Sequence, residues 1–347
     1  MPGSASRNAR TKGRIMGQTT NISWAHSSFG AHRGCLEISP ACDSCYAREM
    51  AKRNPKILGK WGSEADGGTR VVAAEDYWKE PPKWNKQAAA EGVSRRVFLD
   101  SMADVFESWN GLMLDVQGRA LLKPYLDSES QPENWIGEYL DMDGKLDRSD
   151  MQGWRPVTMD DVRRRVFDLI DVTPNLSWLL LTKRPENIGR MLYGSKPKLA
   201  TALNHEAGTP EANIWHRPNC WLGTTVENQH YANQRINELL KARSLSPVLW
   251  LSAEPLLGPI DLQQAHMTQD RPDNWPEPTR VDWCVVGCES GSKARPTELE
   301  WVRSLRDQCL EKGVAFFVKQ LMIGGKLRKN IEDFPSDLQI QQVPVGA

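Results

Sequence analysis

Short apolar runs recur along the chain, and each stops at polar residues. They lie in "RRVFLDSMADVF" from Arg95, "LSWLLLTKRPEN" from Leu176, "NCWLGTTVENQ" from Asn219, "SPVLWLSAEPLLG" from Ser246, "VDWCVVGCESG" from Val281 and "GVAFFVKQL" from Gly313. Each apolar core is four to six residues long and rich in Val, Leu, Trp or Phe. Such runs suit parallel strands covered on both faces, which need no polar alternation. Between them lie helical patterns. "MDDVRRRVFDLIDVTP" follows Thr158, carries acids in its first turn and stops before Pro174, which predicts a helix. "NQHYANQRINELLKAR" and "TELEWVRSLRDQCLEKG" read the same way. The second is expected to start at a Thr297 N-cap and to end at Gly313.

Strand alternating with helix predicts an α/β fold with a parallel sheet. The expected architecture is a partial TIM-like (β/α) barrel of about six parallel strands. In such a barrel the residues just after each strand line the active-site mouth. Those positions hold Asp100, Ser101 and Asp104; Thr182, Lys183 and Arg184; Thr224, Thr225, Glu227 and Asn228; Ser252 and Glu254; Glu289 and Ser290; and Lys319 and Gln320. One polar strand end is ordinary, because strands must exit into water. Six together predict a polar mouth. For each charged residue the competing reading is a salt bridge that holds the mouth together.

Residues 1–18 read as a flexible basic tail, with Arg7, Arg10, Lys12 and Arg14 and no acid. Residues 19–325 read as one barrel domain, and 326–347 as a C-terminal tail. The stretch 110–156 breaks the strand–helix rhythm. It is acidic and lacks a long apolar run, so it is expected as an insertion or lid. The 347 residues carry 44 basic and 44 acidic side chains, a formal net charge of zero. That argues against a dedicated non-specific DNA binder, which shows a basic excess. Trp178, Trp221, Trp250 and Trp283 fall inside strand runs and are expected in the core rather than as base-stacking platforms. No run of about 18 apolar residues and no secretory leader is present. The expected location is therefore cytoplasmic, with no membrane partner.

Cytoplasmic thiols are seldom paired in disulfides, and Cys220, Cys284 and Cys309 read as inert core residues. Cys35, Cys42 and Cys45 differ: they fall within eleven residues, as Cys-x6-Cys-x2-Cys, ahead of a helical segment containing Tyr46 and Met50. Thiols gathered in this way point to metal. A structural zinc site needs a fourth ligand, which His32 or His26 would supply. A 4Fe-4S cluster on three cysteines instead leaves one iron open to chelate a small molecule. Both readings stand on spacing alone.

The chain also resembles a family of phage-encoded proteins of uncharacterised function that carry a three-cysteine motif. The resemblance rests on "TTNISWAHSSFGAHRGCLEISPACDSCYAREMAKR", "VFLDSMADVFE", "LLLTKRPEN", "WLGTTVENQ", "WLSAEPLLGPIDL", "VVGCESGSKARP" and "VRSLRDQCLEKGVAFFVKQ". That family in turn resembles radical S-adenosylmethionine (radical SAM) enzymes. The usual spacing there is Cys-x3-Cys-x2-Cys with a Gly-Gly-Glu after the second strand; here the first gap is six and "DSMAD" stands in that place. The resemblance implies a 4Fe-4S cluster on Cys35, Cys42 and Cys45, set in a loop at the C-terminal mouth. It implies S-adenosylmethionine as cosubstrate and a flavodoxin or ferredoxin as electron donor. By position, Ser101 and Asp104 would take the methionine ammonium, and Glu227 or Asn228 the ribose. Lys183 or Arg184 would meet a carboxylate or phosphate, and Tyr46 would flank the cofactor. Glu254 and Glu289 would serve proton transfer or substrate contact, with Lys183 the third candidate catalytic group. Phage association implies nucleic acid or a nucleotide as substrate, in DNA modification or repair. The alternative class is a nucleic-acid-binding or scaffold protein with a structural Fe-S or Cys3His zinc site, supported by the basic tail and "AKRNPK". A barrel-type zinc hydrolase ranks last, because the strand ends carry no His.

Overall fold

The structure is a computed structural model, and it describes residues 20–125, 135–138, 140, 145–146, 152–194, 216–266, 280–291 and 293–344. Eight strands form the main sheet: β1 (Ser27–Phe29), β2 (Arg95–Leu99), β3 (Leu176–Thr182), β4 (Cys220–Thr225), β5 (Leu249–Ala253), β6 (Trp283–Gly287), β7 (Ala315–Ile323) and β8 (Lys326–Arg328). β1 to β7 run parallel, each paired with the next in the chain, and β8 returns antiparallel to β7. Spatial order equals chain order, so right-handed crossovers carry their helices to one face. The main helices are α1 (Tyr46–Arg53), α2 (Glu80–Glu91), α3 (Met159–Asp171), α4 (Gln229–Leu240) and α5 (Leu299–Glu311).

Alternation along each strand divides the core in two. Val97, Leu99, Trp178, Leu180, Leu222, Leu251, Val286 and Phe316 pack with Trp84 of α2, Val166 of α3, Ile236 of α4 and Leu305 of α5. The intervening residues Phe98, Leu179, Trp221, Trp250, Trp283, Val285 and Phe317 form a separate cluster with Trp24. Trp24 stands 4.8 Å from Phe98 on β2 and 6.2 Å from Trp283 on β6, ring centre to ring centre. Four strand intervals span roughly 19 Å in a flat sheet. One indole reaches both strands only because the sheet curls around it. Gly223 on β4 makes room within this layer: a Cβ there would lie 2.4 Å from the Trp250 ring.

All six apolar runs are strands, and the four strand tryptophans are at most 1% exposed. The architecture still differs from the expected barrel of about six strands. The sheet has eight, curls into an open half-barrel, and has β1 and β8 at its edges. The two strands that pattern reading missed are three residues each, too short to give a periodic signal. The stretch 110–156, expected as an acidic insertion, supplies four strands of a second, six-stranded sheet: Met113–Leu114, Ala120–Pro124, Ile136–Glu138 and Trp154–Pro156. His32–Arg33 and Arg70–Val72 complete that sheet. The segment from 326, expected as a tail, contributes β8 and buries Phe334 and Leu338. The basic segment 1–18 lies outside the described residues.

Helix α3 joins the two sheets. Thr158 caps it, in a reciprocal capping box with Asp161. Asp161 also accepts from Lys123 (3.0 Å) and Arg155 (2.7 Å), both on second-sheet strands. Burial works against its charged form, but Arg155, the Thr158 backbone and Lys123 outweigh it and hold the carboxyl well below the usual range. The expected Thr297 cap of α5 is not made. The cap position is Glu298, with no side-chain bond, and the Thr297 hydroxyl donates to Leu256 O at 2.8 Å.

Candidate functional site

The loop bearing Cys35, Cys42 and Cys45 leaves β1 and crosses the C-terminal ends of the parallel strands. Its contacts trace that path. Gly34 N donates to Met102 O beyond β2, and Arg184 Nη2 beyond β3 donates to Leu36 O at 2.9 Å. Arg295, beyond β6, donates to Pro40 O at 2.7 Å and meets Asp43 at 3.1 Å. Tyr46, the first residue of α1, donates its hydroxyl to Ser101 O at 3.1 Å. The loop therefore spans the mouth from the β2–β3 side to the β6 side.

Its first end is held by buried charges. Glu107 accepts Leu36 N at 2.9 Å and pairs with Arg70 through two contacts of 2.7 Å. Asp104 accepts the Thr182 hydroxyl (3.0 Å), Lys183 N (3.2 Å) and Arg184 Nη1 (2.8 Å). Asp104 and Arg184 are thus committed to each other and to the loop. Lys183 sends its backbone, not its ammonium, into this network, and the ammonium has no partner among the described residues. Cys35 is half-buried beside these groups. Burial, then the Glu107 and Asp104 carboxylates, pushes its thiol up to about 12 against Arg184 and Lys183.

The second end is held at the surface side. Glu289 accepts three bonds from Arg295: N at 2.8 Å, Nε at 3.1 Å and Nη2 at 2.6 Å. Burial opposes its charge, but these bonds prevail and its carboxyl lies below its ordinary value. Cys42 closes a 3-10 turn over Pro40–Cys42, and Cys45 is the N-cap residue of α1. Between the two ends lies a half-buried ion pair, Glu254 with Lys319, whose carboxylate also accepts Trp24 Nε1 at 3.2 Å.

The remaining predicted positions stand apart. Glu227 is fully buried and paired with Arg235 at 2.7 Å, with Oε1 unpartnered among the described residues. Asn228 caps α4 by accepting from Tyr231 N at 3.2 Å. His32, a candidate zinc ligand, is buried with Nδ1 3.2 Å from Asp100. Asp100 holds that turn from a left-handed backbone (φ 54°), accepting from Ala31 N at 2.6 Å. His26 is engaged too, its Nδ1 accepting Arg96 N at 2.8 Å. Sequence reading missed Arg70, Glu107, Arg295 and Trp24. Arg295 stood in the quoted "SGSKARP", but its partner Asp43 lies 252 positions away.

The thiols carry suitable donor chemistry for a metal: all three are free, and they share one loop over the mouth. As the side chains lie, no three or more His, Cys, Asp or Glu among the described residues form a metal-holding group. The donor set fits, but it is not preassembled.

Fold and site define an α/β protein whose open parallel sheet carries a thiol-bearing loop strapped across its C-terminal edge. The chain belongs to the family described as Protein of unknown function (DUF5131), matched over residues 19–112 and 149–333. The match omits 113–148, the greater part of the second-sheet stretch. No curated protein and no solved structure matches the chain. Among the described residues, no helix is long and apolar enough to cross a membrane.

Proposed function

We propose that the chain is an iron–sulfur enzyme of the radical S-adenosylmethionine type. Cys35, Cys42 and Cys45 are the protein ligands of a 4Fe-4S cluster, and nucleic acid or a nucleotide of phage origin is the substrate class. The observation that carries the reading is the path of the loop: three cysteines outside any disulfide follow the first parallel strand and its short neighbour His32–Arg33 on a loop strapped over the mouth where the other strands end. Cys35, Cys42 and Cys45 would hold the cluster there, and it would supply, with an electron from a flavodoxin or ferredoxin, the reductive cleavage of S-adenosylmethionine for radical chemistry on the substrate.

The chain's own residues divide the remaining work. Lys183 offers a free ammonium to a carboxylate or phosphate, while Asp104 and Arg184 fix the loop beside it. Ser101 and Tyr46 flank the first rim of the mouth. Glu254, held by Lys319 and Trp24, keeps one carboxylate ready for a proton or a substrate hydroxyl. Glu289 acts through Arg295 on the loop. In this reading Glu227 and Asn228 shape the wall behind β4. His32 has Nδ1 beside Asp100 and leaves Nε2 without a partner among the described residues, so the Cys3His zinc site is kept as the alternative.

The test is anaerobic purification with iron, sulfide and zinc analysis. About four irons and four sulfides per chain are expected, and all are lost in Cys35→Ala, Cys42→Ala and Cys45→Ala. The reduced protein should release 5′-deoxyadenosine from S-adenosylmethionine. Stoichiometric zinc without iron would replace this reading with the structural-site alternative.

A further inference from the structure

A second concavity lies on α1, beside the cysteine loop. Leu36, Arg48, Lys52, Pro55, Lys60 and Trp61 line a cleft of about 400 Å³, within the roughly 300–1,000 Å³ of small-molecule sites. Its charge is unlike that of the chain as a whole. Between Tyr46 and Trp61 stand Arg48, Lys52, Arg53, Lys56 and Lys60 against a single acid, Glu49. That is a local excess of four positive charges in a chain of zero net charge. Lys52, Arg53, Lys56 and Lys60 are exposed. The one carboxylate lining the cleft, Glu37, is paired with Arg48. Trp61 offers an aromatic wall, and its Nε1 is a buried donor without an acceptor among the described residues. Gly62 N donates to Cys35 O at 3.1 Å, so the cleft wall and the thiol loop share backbone.

Cations around an indole match one chemistry: phosphate beside a flat base. We infer that this cleft binds a nucleotide, with its base on Trp61 and its phosphate between the exposed Lys52 and Lys60, while Arg48 stays paired with Glu37. Its source is a single strand of nucleic acid laid across α1. The inference deepens the substrate class proposed above, but it does not depend on the cluster. An acidic protein surface would meet the lysines, yet it would leave the Trp61 wall of the cleft unfilled.

The test uses the full chain, with a labelled single-stranded oligonucleotide read by fluorescence anisotropy over a salt series and a mononucleotide as competitor. Lys52→Glu with Lys60→Glu should weaken strand binding at least tenfold. Each lost phosphate contact should reduce the slope of log K against log salt by about 0.7. Trp61→Ala should weaken it about 5- to 150-fold, the usual range for one stacked base, and Trp61→Phe should restore most of that. Both lysines are exposed, so their test stands even if Trp61→Ala fails to fold. Lys79→Glu with Lys83→Glu, exposed elsewhere, should change nothing. Competition by the mononucleotide assigns the cleft to a nucleotide from either source; strand binding without competition assigns it to the polymer. Binding of neither, or equal weakening by the Lys79/Lys83 pair, overturns the inference. Iron is measured on the same samples. In the native chain, iron without strand or nucleotide binding overturns this inference alone, and binding without iron overturns only the cluster reading.

Discussion

The two ends of the cysteine loop are fastened by opposite means. At the Cys35 end, Arg70, Glu107, Asp104 and Arg184 are all under 8% exposed, and every charge faces another charge or a backbone group. At the Cys42–Cys45 end, a single arginine, about a third exposed, reaches Glu289, Asp43 and Pro40 O. A buried ion pair is costly to break because the survivor is left without water or partner. An arginine partly open to solvent is easier to release, because water takes its partners' place, although here it leaves the buried Glu289 behind. The first end is therefore a fixed hinge. The second is a latch that can open without unfolding the sheet.

The largest effect should come from the hinge. Glu107→Ala strands Arg70 and frees Leu36 N, and should cost about 3–5 kcal/mol in urea unfolding. A loss below about 1 kcal/mol would mean the hinge is not buried as described. Asp104→Asn keeps the shape but removes the charge that Arg184 faces. It should cost about 1.5–3 kcal/mol and raise alkylation of Cys35 while leaving Cys42 and Cys45 unchanged. The contrast would be lost if all three thiols became reactive together.

The latch should respond in the opposite pattern. Arg295→Ala leaves the buried Glu289 carboxylate without its partner and should cost about 1–3 kcal/mol, yet raise alkylation of Cys42 and Cys45 with Cys35 still protected. Unaltered labelling would mean that Arg295 does not restrain the loop. The smallest effect is one of pH. The folded Glu289 carboxyl lies below its ordinary 4.5, so the stability it contributes is present above that value and is lost as pH falls through the folded value. The stability gap between the native chain and Arg295→Ala should close as the solution is acidified below 4.5. A gap that persists at lower pH would remove Glu289 from the latch.

This contrast was not legible in the sequence, although much of the framework was. The apolar runs of β2 to β7 announce themselves because buried parallel strands leave a local signature. Helix α3 does the same through Thr158 and its acidic first turn. The second sheet left no such signature: its strands of two to five residues draw their stability from cross-strand partners. Strand ends drew attention to Asp104, Arg184, Glu254 and Glu289. Whether those groups face a ligand or one another depends on partners such as Asp43 and Arg295, far apart in the chain. No local pattern encodes such a pairing, and the same charged residue reads alike in either role.

The close approach of Trp250 to Gly223 has a consequence for how this chain tolerates change. The indole of Trp250 occupies the space that any side chain at 223 would need, so the two positions form one unit of inheritance. Gly223→Ala alone should be a damaging allele, and a smaller residue at 250 should act as its suppressor while being harmful by itself. A genetic screen that knew nothing of the sheet would still find adjacent strands β4 and β5 by that reciprocal rescue.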